Sequence, residues 1–186
     1  MNSTYASSSL IPLPVDIRHG MVSMGIIGLL STSSTLSLLA FITYRMVYWR
    51  KYYERPIHTN QVFILIYNLL LADFQQALSF IIAFHWVSMN ELIGPTTACF
   101  AQAWLIQIGD VSSGLFVLSI AVHTFISLVR QKTIPMKIFI LAVVSVWMFC
   151  LLLTLLGPSL NPTDFFVPAG AWVSYCEIIS CHSIAN

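Results

Sequence analysis

The Lys and Arg residues of this 186-residue chain are concentrated in two short clusters, which hold seven of its eight basic side chains. The first cluster consists of Arg45, Arg50, Lys51 and Arg55, and the second of Arg130, Lys132 and Lys137. Long apolar segments lie between and around them. Because basic loops of membrane proteins are retained in the cytoplasm, this pattern predicts a chain that crosses a bilayer repeatedly, with its N-terminus outside.

The composition supports a membrane protein. Charged residues make up only 8% of the chain, hydrophobic residues make up 58%, and the mean hydropathy is +0.83. A soluble domain carries about 25% charged residues, so this chain has too few to cover a soluble core. Seven cations divided between two loops form no continuous basic track, and we therefore expect no nucleic-acid binding.

Four segments are long and apolar enough to cross a bilayer as helices, which takes about 20 residues. They are residues 20–44, 56–90, 92–129 and 138–163. Transmembrane β-strands are alternating segments of about 10 residues, and these segments are too long and too continuous for that. The predicted fold is an all-α polytopic membrane helix bundle, with helices near 20–44, 61–87, 97–129 and 136–158.

The remaining segments are expected outside the membrane. Residues 1–19 form a predicted extracellular tail, in which Asn2 begins a glycosylation sequon, and residues 159–186 follow the fourth helix on the same side. The first apolar run is longer than that of a signal peptide, and its basic residues follow it instead of preceding it. We therefore expect residues 20–158 to form one membrane domain that retains its first helix.

Two acids at bilayer depth are the main candidates for a functional site. Asp73 lies near the middle of the second predicted helix and Asp110 near the middle of the third. An ionisable group at this depth is costly unless it faces a polar interior. The pair therefore indicates a buried ion or ligand site, or alternatively a protonated acid that holds two helices together.

Other polar residues accompany these acids. Gln107, Asp110 and Gly114 follow helical spacing with Ser113 near the same face, and Asn68 precedes Asp73 by five residues. The stripe is typical of one wall of a ligand cavity, and equally of a helix–helix seam. The sequence contains no metal-ligand cluster, phosphate loop or nucleophile–base pair, so we expect neither an enzyme nor a cofactor.

Three cysteines are expected on the extracellular side. Cys99 begins the third predicted helix, and Cys176 and Cys181 follow the fourth. A disulfide from Cys99 to either of the other two is chemically allowed in an oxidising compartment. Three cysteines cannot all pair internally, so one would be left over. Three free thiols are the alternative.

An ordered set of motifs resembles the seven-helix G protein-coupled receptors. It consists of N-L-L-L-A-D at residues 68–73, Cys99 at the start of the third helix and Trp147 in the fourth. The run G-P-S-L at residues 157–160 and A-G-A-W at 169–172 are similar to fungal receptors of the glucose-sensing and cyclic-AMP-receptor-like group. The similarity covers most of residues 20–172, the first four helices of that fold.

The resemblance implies a plasma-membrane receptor for an extracellular small molecule, such as a sugar, that signals through a heterotrimeric G protein. It also implies that Asp73 belongs to an interior polar network and that Cys99 pairs with a cysteine of the second outer loop, for which Cys176 is the candidate. The D-R-Y motif of rhodopsin-type receptors would fall near residues 123–125, which read H-T-F. Switching by an Arg at that position is therefore not expected.

Seven helices need three more spans than this sequence contains, and residues 173–186 read unlike a receptor loop. We therefore expect an N-terminal receptor fragment with an aberrant or retained-intron tail. The alternatives are a complete four-helix membrane scaffold, a transporter subunit, and a non-functional fragment. No echo between the two halves of the sequence indicates the internal repeats of transporters.

The topology is testable with an epitope tag inserted next to Lys51. Because basic loops stay in the cytoplasm, we expect antibody to reach this tag only after cells are permeabilised. A tag at the N-terminus is the matched control and should be reached on intact cells. Staining of the Lys51 tag on intact cells would show that the predicted orientation is wrong.

Overall fold

A computed structural model of the chain describes residues 12–48, 50, 60–91, 96–131, 134–160, 166–168 and 176–178. The side chains of residues 157–160, 166–168 and 176–178 lie outside this description. The helices are α1 (Val15–Val47), α2 (Gln61–Ile81), α3 (Ala83–Met89), α4 (Thr97–Leu128) and α5 (Met136–Leu160). Two short strands, β1 (Phe166–Pro168) and β2 (Cys176–Ile178), pair antiparallel and lie against α4.

Four spans are long and apolar enough to cross a membrane: Val15–Val47, Gln61–Met89, Thr97–Leu128 and Met136–Leu156. Large apolar side chains cover their outer surfaces; Leu30, for example, is 67% exposed and Leu141 68% exposed. Only lipid or another apolar surface can cover so large an apolar area. The predicted all-α membrane bundle is therefore confirmed, and the chain is a multi-pass membrane protein.

The first helix begins at Val15, five residues before the expected start, so Asp16, Arg18 and His19 belong to it. We expected the helix to begin at residue 20 because the charged residues end just before it. The observed helix has 33 residues, whereas about 20 are enough to cross the hydrocarbon layer. Its first turn can thus extend beyond the apolar layer. Asp16 lies in that turn, where the positive end of the helix dipole favours a carboxylate.

The second span contains a break that the expected helix 61–87 did not include. The Ile82 amide donates to the Ser79 carbonyl at 3.2 Å, and the His85 amide donates to the Ile82 carbonyl at 2.9 Å. These three-residue intervals form a tight turn between α2 and α3. The Ser79 hydroxyl donates to the Gln76 carbonyl at 2.5 Å, and such side-chain bonds compete with the helix ladder.

Polar side chains fix the starts of two helices. Asn60 Oδ1 accepts from the amides of Val62 and Phe63 at the start of α2, and Thr96 Oγ1 accepts from the Cys99 amide at the start of α4. Such N-caps satisfy amides that have no partner within the helix. At the end of α3, Asn90 adopts the left-handed conformation with φ 55°, a common way to end a helix.

The helix α2 packs most extensively, against α1 on one side and α4 on the other, and α5 lies against α4. Glycines allow the close approaches. A Cβ atom at Gly28 would stand 2.7 Å from Phe80 Cβ, and one at Gly25 would stand 2.7 Å from the Phe84 ring. Because lipid supplies no hydrophobic driving force between helices, this close packing of small residues is a main source of association.

Four hydroxyl groups of α1 bond to their own helix, while the buried Thr32 hydroxyl has no described partner. Ser23, Ser33 and Ser37 each donate to a backbone carbonyl three or four residues earlier, and Thr35 donates to that of Ser31 at 2.8 Å. The Thr43 hydroxyl, which lies 3.1 Å from Tyr67 Oη, reaches another helix. Thus α1 is attached to α2 mostly by steric fit.

The bundle has two apolar clusters, one toward each end. We call the end where α1 and α4 begin the Cys99 end, and the opposite end the Arg130 end. The Cys99-end cluster includes Met21, Trp86 and Leu13, and the Leu13 amide donates to the Asn90 carbonyl at 3.2 Å. The Arg130-end cluster consists of Leu65, Phe116 and Phe139.

The contact between α2 and α4 predicts unequal effects of two alanine substitutions in α4. A Cβ atom at Gly109 would stand 2.8–3.0 Å from Gln76 Cβ, N and Cα, whereas one at Gly114 meets no atom within 4 Å. We expect Gly109→Ala to lower the free energy of unfolding by about 1–3 kcal/mol, the usual cost of overpacking. Gly114→Ala, the matched control, should not destabilise the protein. Thermal unfolding in detergent measures both, and equal midpoints would contradict the described contact.

Candidate ligand site and interior polar network

The two intramembrane acids are bound by reciprocal contacts between α2 and α4. Ser113 Oγ on α4 donates to Asp73 Oδ1 on α2 at 2.8 Å. In return, Gln76 Nε2 on α2 donates to Asp110 Oδ1 on α4. Asp73 and Gln76 are three residues apart on α2, as are Asp110 and Ser113 on α4. Side chains with this spacing lie on one face of a helix, so both contacts can form when the two helices are antiparallel and in register. Each acid therefore has its own neutral donor.

The glycine at the crossing of the two helices explains why such short side chains reach each other. Gly109 lies against the backbone of Gln76, so the axes of α2 and α4 are close at this level. Ser113 has a single-carbon side chain and reaches Asp73 only at such a distance. Both acids were predicted to belong to the site, but Gln76 was not predicted as the partner of Asp110. No signal in the sequence indicates this partner, because the pairing depends on which helices are adjacent and at what height.

Asn68 connects α2 to α5. Its Nδ2 donates to the Ile64 carbonyl at 2.8 Å, and its Oδ1 accepts from Trp147 Nε1 at 2.9 Å. The indole ring of Trp147 also lies 5.5 Å from the ring of the fully buried Phe116, measured between centroids. Asn68 is thus part of a polar network, although its partner was not predicted. Asp73, Ser113 and Asn68 together join α2, α4 and α5.

The predicted stripe of α4 lies on an open face of the helix. Asp110 is exposed, Gly114 is exposed, and Gln107 is half-buried one turn from Asp110. In the part of the chain that the structure describes, the Gln107 side chain makes no hydrogen bond. Toward the Cys99 end, the Phe100 and Trp104 rings stack with centroids 6.0 Å apart and planes inclined by 29°. Asp110 and Gly114 are therefore accessible, whereas Gln107 is half-buried and Ser113 contacts Asp73.

A second junction, which was not predicted from the sequence, lies at the Arg130 end. Gln61 Nε2 donates to the Ile134 carbonyl at 2.6 Å, so its Oε1 is the acceptor for His123 Nε2, 2.8 Å away. His123 therefore donates through Nε2. Its buried Nδ1 has no partner among the described residues. The junction joins α2, α4 and Ile134, which lies just before α5. Its His123 begins the H-T-F segment that stands at the expected position of a D-R-Y motif.

A third contact, also missed, lies at the Cys99 end. Trp86 Nε1 donates to Gln102 Oε1 at 2.8 Å, and these side chains are 3% and 1% exposed. Burial of an amide requires such a partner. The bond holds α3 to α4 within the Cys99-end cluster, to which Trp86 belongs. Gln102 is thus a structural residue rather than part of the open surface.

Cys99 is fully buried and disulfide-bonded. The side chain of Cys176 is not described, and Cys181 and Asn2 lie outside the described residues, so the Cys99–Cys176 pairing and the glycosylation of Asn2 stay predictions. Among the described residues, no group of three His, Cys, Asp or Glu side chains is placed to hold a metal ion. The chemistry that this site offers is hydrogen bonding and charge, at the depth of the membrane interior.

Comparison with protein-family models finds no match for this chain. Comparison with curated proteins finds none either.

The Asn68–Trp147 bond predicts an effect of Trp147→Phe on stability. Phenylalanine keeps an aromatic ring near Phe116 but leaves Asn68 Oδ1 without its indole donor. Interhelical hydrogen bonds in membrane proteins contribute about 0.6 kcal/mol on average and up to about 1.7, so the thermal midpoint in detergent should fall measurably. Trp104→Phe is the matched control, since no described hydrogen bond involves its indole. If both variants unfold at the same temperature, the Asn68 bond has no stabilising role.

Proposed function

We propose that this protein is a G protein-coupled receptor-like membrane protein that senses an extracellular small molecule and signals through a heterotrimeric G protein. The observation that carries the proposal is the polar network of α2, α4 and α5, formed by Asp73–Ser113 and Asn68–Trp147. Asn68, Asp73 and Trp147 are also residues on which the resemblance to these receptors rests. Side chains at bilayer depth link these three helices, so a movement of one helix is passed to the others, as signalling by a receptor requires.

The proposed orientation puts the Cys99 end outside the cell, in the plasma membrane. Two observations support it: the cations Arg45, Arg130 and Lys137 lie toward the opposite end, and Cys99 is disulfide-bonded. Basic residues favour the cytoplasmic side, and disulfides persist in oxidising compartments. The exposed stripe of α4 is then reached from outside, and the Gln61–His123 junction faces the cytoplasm.

The helix α4 provides the proposed route of signalling. It is continuous from Thr97 to Leu128, which at 1.5 Å per residue is about 48 Å. Ligand contacts near Asp110 and junction contacts at His123 are thus on one rigid rod, and both also bond to α2. A ligand that changes the Asp110–Gln76 contact would shift α4 against α2 and so bias the cytoplasmic junction.

A tetraspan scaffold is the second candidate, and the open face of α4 is the observation that favours it. Asp110 and Gly114 are exposed at bilayer depth, and polar and small residues associate with helices of other membrane proteins. In that case the surface would bind a partner protein permanently and respond to no small molecule. The two candidates therefore differ in ligand-dependent G-protein activation.

The test is nucleotide exchange on heterotrimeric G proteins in cells that express the protein and receive a panel of sugars, amino acids and amines. We expect at least one compound to activate exchange. Asp110→Asn should then raise the half-maximal concentration about tenfold or more, because one lost charge contact of about 1.4 kcal/mol changes affinity tenfold. Val117→Ala, on the same exposed face but nearer the Arg130 end, is the matched control.

Surface expression is measured for each variant, so that a lost response is not confused with lost protein. An unchanged response of Asp110→Asn would remove Asp110 from the ligand site. Absence of exchange with every compound, together with stable capture of a partner membrane protein through α4, would favour the scaffold.

A further inference from the structure

The turn between α4 and α5, residues 129–135, concentrates positive charge at the Arg130 end. Arg130 and Lys132 lie in this turn, and Lys137 lies in the first turn of α5. Residues 111–163 contain no Asp or Glu, and residues 55–72, which include the start of α2, contain none either. The parts of α2, α4 and α5 that meet at this turn therefore supply cations and no carboxylate.

Contacts at the helix ends hold this turn in place. Gln131 adopts the left-handed conformation with φ 49°, and Gln61 Nε2 on α2 donates to the Ile134 carbonyl at 2.6 Å. Arg130 and Lys137, at the two ends of the turn, both have exposed side chains. Because α4 packs against α5 and packed helices lie about 8–10 Å apart, both side chains can contact one multiply charged anion.

An exposed apolar surface adjoins these cations. Leu128, two residues before Arg130, is 72% exposed, and Ile138, next to Lys137, is 60% exposed. Both belong to helices long and apolar enough to span a membrane, so their side chains lie against lipid. An anion held by Arg130 and Lys137 is therefore located where lipid headgroups meet acyl chains. A phospholipid contacts the cations and the apolar side chains together, whereas a soluble phosphate contacts only the cations.

We propose that the turn between α4 and α5 binds an anionic phospholipid through its phosphorylated headgroup. The phosphate groups contact Arg130 and Lys137, and the acyl chains lie against Leu128 and Ile138. Guanidinium and ammonium groups bind phosphates through charge-assisted hydrogen bonds, and basic residues beside a membrane span attract the anionic lipids of the cytoplasmic leaflet. The inference shares the proposed orientation of the protein, but it concerns a different surface from the proposed ligand site and requires no G protein.

The test compares lipids that have the same acyl chains and differ in headgroup charge. Native mass spectrometry of the purified protein in detergent measures binding of phosphatidylcholine, phosphatidylserine and phosphatidylinositol bisphosphate. We expect the bisphosphate to bind at least about tenfold more tightly than phosphatidylcholine, with phosphatidylserine between them, because the negative charge of the headgroup increases in this order. Soluble inositol trisphosphate, which has a similar headgroup without acyl chains, should bind at least about tenfold more weakly than the bisphosphate lipid.

Two variants assign this preference to the turn. Arg130→Gln combined with Lys137→Gln removes both exposed charges and should weaken binding of the bisphosphate about tenfold or more, with phosphatidylcholine unchanged. Arg18→Gln is the matched control, since it removes an exposed cation at the Cys99 end and should bind like the unmodified protein. Added salt screens exposed charges, so it should weaken bisphosphate binding by the unmodified protein. That measurement keeps the test informative if the double variant fails to fold.

Four results would overturn the proposal. They are equal binding of the bisphosphate and phosphatidylcholine, a bisphosphate preference that survives the double substitution, an equal loss of binding in Arg18→Gln, and binding of the bisphosphate that salt does not weaken. Inositol trisphosphate that binds as tightly as the lipid would also overturn it, because the turn would then be a site for soluble phosphates.

Discussion

The hydrocarbon interior of a membrane offers no hydrogen-bond partners, and the arrangement of α2 depends on this constraint. Each polar side chain at that depth must find its partner within the bundle. Asp73, Gln76 and Asn68 all lie on α2, and their partners lie on α4 and α5. The helix that carries most of the polar interior is thus also the one that packs most extensively with its neighbours.

Because α2 and α4 approach closely at Gly109, the need of their polar side chains for partners also fixes the relative height of the two helices. The Asp73–Ser113 and Gln76–Asp110 bonds form together only when α2 and α4 are antiparallel and at one relative height. A slide by one helical turn, about 5.4 Å, would break both bonds and leave both acids without donors. Polar contacts therefore fix the alignment of these helices, while the small residue Gly109 allows the short distance between their axes.

Much of the fold could be predicted from the sequence because it depends on local properties. Apolar runs and basic clusters locate the four spans, and Asn60 and Thr96 mark helix starts through bonds within a few residues. The predicted boundaries were less accurate where the structure depends on more than charge: α1 extends through Asp16 and Arg18, and a turn at Ile82 divides the second span. The turn at Ile82 does not interrupt the apolar pattern, whereas Asp16 and Arg18 do, although the helix continues through them.

The sequence predicted which acids belong to the candidate site, but not which side chains they contact. A single acid in a long apolar segment is conspicuous in the sequence, so Asp73 and Asp110 were predicted without a structure. Their partners depend on which helices are adjacent and at what height, and no periodicity within one helix contains that information. For the same reason Gln61 and His123, which are 62 residues apart in sequence and 2.8 Å apart in space, gave no signal.

The local hydrogen bonding of α1 has a consequence for how the protein is made. Helices are synthesised in order, so α1 reaches the membrane before any other helix exists. Four of its eight Ser and Thr hydroxyls bond to its own carbonyls, which lowers the free energy required to place this helix in lipid before its neighbours arrive. The acids of α2 and α4 are satisfied only by each other's helix, so these two segments gain from release as a pair.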